Sequence, residues 1–237
     1  MAENPRILAV GDIHGCSRAL DLLLADVNPR GDDTVVTLGD YIDRGPDSKG
    51  VLDRLLDLGQ KVRLVPLRGN HEVMLLLARE SRDERNMWLK CGGEAAMLSY
   101  GRNGRPGTLD DIPERHWEFV AATCVDWHEE ATHFFVHAGA LPDIPLAAQP
   151  HEILFWESFA DRGPHECGKV MVCGHTPQKS GVPLHIGHAV CIDTWAYGGG
   201  WLTCLDVTTG HVWQANQRGD RRTGQLDGSP TPGGFDP

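Results

Sequence analysis

Residues 7–15 read Ile7-Leu8-Ala9-Val10-Gly11-Asp12-Ile13-His14-Gly15, an apolar run of strand length that stops at a small residue, a carboxylate and an imidazole. A helix follows from near Ser17, because Leu20, Leu23, Leu24 and Val27 recur at helical spacing. The pattern then repeats. Thr34 to Leu38 reads as a second strand ending in Gly39-Asp40, after which Pro46 and Asp47 open a helix carrying Val51, Leu52, Leu55 and Leu56. Val62 to Leu67 is a third strand, followed by Gly69-Asn70-His71 and the apolar helical stretch Val73 to Leu77. Strand, polar loop and helix in repetition read as βαβ units and a mostly parallel sheet. Ligands of such sheets collect beyond the carboxyl ends of the strands. Each acidic or His-bearing cluster falls there.

Outward from this half, residues from about 80 to 122 are helical and polar, with a Gly-rich turn, SYGRNGRPGT, and the aromatics Trp88, Tyr100 and Trp117. Such an insertion can cap a pocket, although core packing is the commoner role for any one aromatic. Strands return at Cys124 to Trp127, Thr132 to Val136, Val170 to Cys173, Ala189 to Ile192, Trp201 to Val207 and His211 to Gln214. The last two meet at Thr208-Thr209-Gly210, a hairpin-like turn, so the second half is expected to be mixed or antiparallel. One domain over 1–216 is expected. Residues 217–237, rich in Gly, Pro, Asp and Arg, read as a disordered polar tail.

The chain has 237 residues, enough for one substantial core, and a net charge of −11, which argues against duplex nucleic acid as a partner. No apolar stretch approaches the roughly 18 residues of a membrane span. The amino terminus lacks secretory features. The seven cysteines are scattered without a CxxC pair and read as buried free thiols, so a cytoplasmic setting is expected.

The chemistry lies in five segments: Gly11-Asp12-Ile13-His14-Gly15, Gly39-Asp40-Tyr41-Ile42-Asp43-Arg44-Gly45, Gly69-Asn70-His71-Glu72, His137-Ala138-Gly139 and Gly174-His175-Thr176. Asp and His supply the oxygen and nitrogen donors that suit Mn, Fe or Zn. A lone strand-end Asp is more often a helix cap; five such segments at strand ends are not five coincidences. Together they resemble, nearly letter for letter, the motifs of the calcineurin-like metallophosphoesterases, within them the serine/threonine protein phosphatase group and its small bacterial and phage members. The resemblance implies an α/β (α+β) four-layer fold, two mixed β-sheets packed as a sandwich and flanked by helices. This replaces the doubly wound sheet that the pattern alone suggests.

Carried over by residue, the resemblance implies two divalent metal ions, Mn²⁺ first, with Fe or Zn as alternatives. Asp12 and His14 would bind the first metal, Asp40 would bridge, and Asn70, His137 and His175 would hold the second. A further His is expected near Asp193, and His185 is preferred to His188 because Leu184 and Ile186 make its segment strand-like. His71 would be the general acid, Asp43 would orient it, and Arg44 would hold phosphate oxygens. Glu72 is expected to cap or orient the helix. A second phosphate-binding Arg is expected where Ser158 stands; Arg162, one helical turn on, is a candidate substitute, the alternative being a surface pair with Glu157 or Asp161.

The implied function is hydrolysis of phosphomonoesters, on phosphoproteins (Ser, Thr or Tyr) or small esters, by in-line attack of a hydroxide held between the metals. A symmetrical bis(5'-nucleosyl)-tetraphosphatase is the alternative, since Trp201 to Leu205 after Asp193-Thr194 also resembles those enzymes. A phosphodiesterase stands third. An inactive scaffold would lack a bridging ligand or the acid, and neither is missing here.

Overall fold

The computed structural model describes residues 4–226. The first half runs β1 (Ile7–Val10), α1 (Ser17–Val27), β2 (Thr34–Thr37), α2 (Ser48–Gly59), β3 (Arg63–Pro66) and α3 (Asn70–Leu77). The insertion follows as α4 (Arg82–Trp88), α5 (Glu94–Tyr100) and α6 (Glu114–Glu118). The second half runs β4 (Trp127–Glu129), β5 (His133–Val136), α7 (His151–Phe155), β6 (Val170–Cys173), β7 (Leu184–His185), β8 (Ala189–Cys191), β9 (Leu202–Asp206), β10 (His211–Ala215) and β11 (Arg221–Gln225).

The strands form two mixed sheets, ordered β11-β10-β9-β1-β2-β3 and β4-β5-β6-β8-β7. Within the first, β1, β2 and β3 are parallel, whereas β9, β10 and β11 join antiparallel. The side-chain period of two explains the layering. Ala9, Val36, Phe135, Val172, Val190 and Leu205 point into the sandwich and form one cluster. Their strand neighbours Leu8, Val10 and Val35 face α1 and α2 in a second cluster, and Phe134, Val136 and Cys173 face Leu154 and Phe155 of α7 in a third. Strands such as β1 and β8 are covered on both faces, so they read as unbroken apolar runs rather than alternating ones. Trp88, Tyr100 and Trp117 of the insertion are buried in the α1/α2 cluster, the packing role.

Three expectations change. The tail does not begin at 217: Arg221–Gln225 is strand β11, paired with β10 through Val212↔Gly224 and Gln214↔Arg222. Arg222 helps hold it there, laying its guanidinium 4.2 Å over the Trp201 ring and donating to Gln214 Oε1 at 2.7 Å. The rest of the expected tail, from 227, lies outside the described residues. The strand expected at Cys124 to Trp127 starts only at Trp127, because Val125 bridges to Leu67 of the other sheet's loop. Among the cysteines, Cys91 is exposed rather than buried.

The start of β2 is tied to the amino-terminal segment by Asp33, which is fully buried. Its carboxylate accepts from the backbone N–H and Nη2 of Arg6 at 2.9 and 2.6 Å, and from the backbone N–H of Arg30 at 2.8 Å. Burial alone would raise its pKa, but these hydrogen bonds outweigh it and hold the carboxyl well below its ordinary 3.8. A depressed folded-state pKa gives stability that is present above about pH 4 and lost as the pH falls further. D33N should therefore cost about 3 kcal/mol near neutrality. In urea titrations the gap to the parent should narrow between about pH 4 and pH 2; a gap constant with pH would show that the charge is irrelevant.

Candidate metal centre

β1, β2 and β3 of one sheet and β5, β6 and β8 of the other all release their chains toward the same end, and the loops that follow them converge there. Two contacts lock the sheets together at this end. His137 donates from Nδ1 to the Leu38 carbonyl at 2.7 Å, and the His175 N–H donates to Asp12 Oδ2 at 3.0 Å. The backbone here is bent into the left-handed region at non-glycine residues: His14 (φ 45°), Asp40 (52°), Asp43 (71°), Arg44 (64°) and His175 (62°). Each such residue costs roughly 1–3 kcal/mol, and strain of this kind concentrates at functional sites. Gly174 shows how tight the packing is: a Cβ there would lie 2.0 Å from Asp12 Oδ1.

Asp40 is the centre. Its Oδ2 lies 3.3 Å from His14 Nε2 and 3.9 Å from His71 Nε2, and its Oδ1 lies 3.5 Å from His137 Nε2. Two groups whose ligating atoms lie within 4.8 Å of one another follow, His14-Asp40-His71 and Asp40-His137-His175, with Asp40 in both. Asn70 Oδ1 closes the second group, 3.0 Å from His137 Nε2 and 3.1 Å from His175 Nδ1. Asp12 stands beside the centre, its carboxylate turned toward the His175 N–H.

The donor set fits divalent cations. The Ile42 carbonyl accepts from His14 Nδ1 at 2.9 Å, and the Leu38 carbonyl accepts from His137 Nδ1, so both imidazoles turn an Nε2 lone pair inward. Burial pushes His137 down to about 4, so it is neutral near pH 7, as a ligand must be. Burial raises Asp40, but the facing His137, His71 and His14 outweigh this and hold it well below the usual carboxylate range. His71 Nε2 is buried without a hydrogen-bond partner. An orphaned nitrogen aimed at a carboxylate and further donors marks a place for another group.

His71 is held from behind. Asp43 Oδ2 accepts from His71 Nδ1 at 2.6 Å and from Trp88 Nε1 at 2.8 Å. Arg44 reaches inward, Nη1 2.9 Å from His14 Nε2, with its guanidinium 4.8 Å from the centre of the Tyr197 ring. Glu72 is wholly buried and accepts from the N–H groups of Gly69 (2.9 Å), Asp40 (2.8 Å) and Tyr41 (2.9 Å). It thus caps α3 and pins the Asp40 loop to it, the orienting role expected from sequence.

Two candidates fall away. His185 belongs to neither group: it sits on β7 at the outer edge of its sheet, paired across from Val190. Its neighbour His188 pairs instead with Asp161 at 3.1 Å. Residues 157–165 form no helix, so the four-residue spacing does not carry Arg162 onto the face of Ser158; its guanidinium pairs with Glu157. Asp193 was missed. It is buried and pushed up to about 6 chiefly by burial; burial also raises Asp12, and the charge of Asp193 adds to that. The signal was present, since Ala189 to Ile192 is another apolar strand ending in Asp.

The family model described as calcineurin-like phosphoesterase matches residues 5–212. Serine/threonine-protein phosphatase 1 of Salmonella typhimurium is 31% identical over 219 residues, covering 87% of this chain and 94% of that protein. The symmetrical bis(5'-nucleosyl)-tetraphosphatase of Acidovorax ebreus is 47% identical over 151 residues, 57% of this chain and 44% of that protein. Among solved structures, a cold-active protein tyrosine phosphatase superposes with a TM-score of 0.60 over 94% of this chain and 80% of its own. At 17% identity that likeness concerns the fold alone.

Two substitutions probe the geometry. G174A should displace Asp12 and weaken Mn²⁺ binding, measured by calorimetry, by about tenfold or more; unchanged affinity would show that the carboxylate is free to move. R162A should keep kcat/KM on an aryl phosphate within about threefold of the parent, the scale of an exposed ion pair. A larger loss would restore Arg162 to the site.

Proposed function

The chain belongs to the calcineurin-like phosphoesterases, and on that premise we propose that it hydrolyses phosphomonoesters, on phosphoproteins or small molecules, with two divalent ions, Mn²⁺ foremost. The observation that carries this reading is Asp40 shared between two groups of donors, with the unpartnered His71 Nε2 beside it. His14 and Asp40, with Asp12 alongside, would hold one ion; Asp40, Asn70, His137 and His175 would hold the other. When bound, the ions supply a water of lowered pKa and positive charge for the phosphoryl oxygens. Arg44, anchored on the Tyr197 ring, offers a planar fork to the same oxygens. His71 passes its Nε2 proton to the ester oxygen as the P–O bond breaks, so an alcohol leaves, and Asp43 holds Nδ1 throughout. No helix among the described residues is long and apolar enough to cross a membrane.

The near-complete coverage of a protein phosphatase favours phosphomonoesters. The 47% identity over 151 residues to a tetraphosphatase supports a second reading, hydrolysis of dinucleoside tetraphosphates.

D40N should bind less metal and lose about 10³-fold or more in kcat/KM on an aryl phosphate, because one carboxylate serves both groups. Two bound ions with near-parental turnover would remove Asp40 from the bridge. In the parent, kcat/KM on a phosphoserine peptide should exceed that on diadenosine tetraphosphate; the reverse order would select the second reading.

A further inference from the structure

The insertion reaches the reacting groups at two points that the sequence motifs do not include. Trp88 closes α4, and its indole Nε1–H donates to Asp43 Oδ2, the oxygen that already accepts from His71 Nδ1. The turn at Leu89–Gly93 follows, and the Gly92 carbonyl accepts the Arg44 N–H at 3.1 Å. Asp43 and Arg44 are consecutive, and both are in the left-handed region.

Asp43 Oδ1 has no partner, so the His71 and Trp88 donors are what fix the rotation of this fully buried carboxylate. His71 alone cannot do so, because its own ring is oriented by that same carboxylate. The Trp88 ring is independently fixed: it is 1% exposed, and a Cβ at Gly93 would come within 2.5 Å of its Cε2. We propose that Trp88 is a positioning residue, the rigid donor that sets Asp43 and, through it, aims His71 Nε2 at the leaving oxygen. The inference rests on His71 being the general acid, and it gives the insertion a role in the proton-transfer step as well as in the core.

The test separates the donor from the shape of the ring. Trp88 is replaced by β-(3-benzothienyl)alanine, introduced at that codon alone, which keeps the ring's outline and puts sulfur in place of N–H; W88F is made beside it. Each protein, with the parent and H71A, is assayed under saturating Mn²⁺ on an alkyl phosphate and on 2,4-dinitrophenyl phosphate, whose leaving oxygen needs little protonation. Both Trp88 variants should lose about tenfold more on the alkyl ester than on the dinitrophenyl ester, the effect of one misplaced hydrogen bond in the transition state. Equal losses on the two esters, or no loss in the benzothienyl variant, would overturn the proposal. H71A should show the same bias more strongly; equal losses there would remove the acid assignment and this inference with it. A second reading needs no turnover. In ¹⁵N-indole spectra of the metal-free protein, D43A should shift the Trp88 Nε1–H signal and speed its exchange with solvent, and an unmoved signal would show that the contact is not made.

Discussion

A buried carboxylate organises this end of the molecule. Asp40 is buried at the common end of two sheets, where an unpaired charge would be strongly unfavourable. His14 from the loop after β1, His71 from the first turn of α3 and His137 from the loop after β5 face it, and the His71 N–H donates to Oδ1 at 3.1 Å. Asp12, Asp43, Glu72 and Asp193 are buried within the same neighbourhood. Burial and mutual repulsion raise Asp12, and push Glu72 up to about 8. So many acids in one dry volume are tolerable only where cations or rigid N–H donors meet them. That requirement dictates the loops: each must turn sharply, return a polar group to one point, and keep its own backbone satisfied.

The turns meet this by accepting strain. The loop after β2 carries Asp40, Asp43 and Arg44 in the left-handed region, yet it is held by Glu72 from α3, by Ser48 at the start of α2, whose Oγ accepts the Asp43 N–H at 2.9 Å, and by Gly92 from the insertion. Three separate elements thus restrain one short loop. Rigidity there is what allows an imidazole and a guanidinium to be aimed without help from a bound substrate.

Much of this was legible in the chain. Asp12, His14, Asp40, Asn70, His71, His137 and His175 lie together because each follows an apolar strand, and strand direction is readable from sequence. Two of the differences share one cause: the partner was distant in sequence. Whether Arg222 could turn a polar tail into β11 depended on Trp201, and whether Val125 extended a strand depended on Leu67. Arg162 was placed by assuming a helix that its Gly- and Pro-flanked segment does not form. Asp193 carries the strand-end signature, but no Gly or His adjoins it as in the five segments. Trp88 looked like core, and it is; its single polar atom is the part that periodicity does not report.

The sandwich also has a mechanical side. The donors around Asp40 come from both sheets, and the direct contacts between the sheets at this end include His137 to Leu38 and His175 to Asp12. Anything gripped by both sets of loops therefore acts as a rivet, opposing the slide of one sheet across the other. Occupancy and stiffness then rise together: a ligand at a hundred times its dissociation constant adds about 2.7 kcal/mol to the folded state by mass action alone. A ligand held there would therefore carry part of the protein's resistance to heat, in proportion to the logarithm of its free concentration above the dissociation constant.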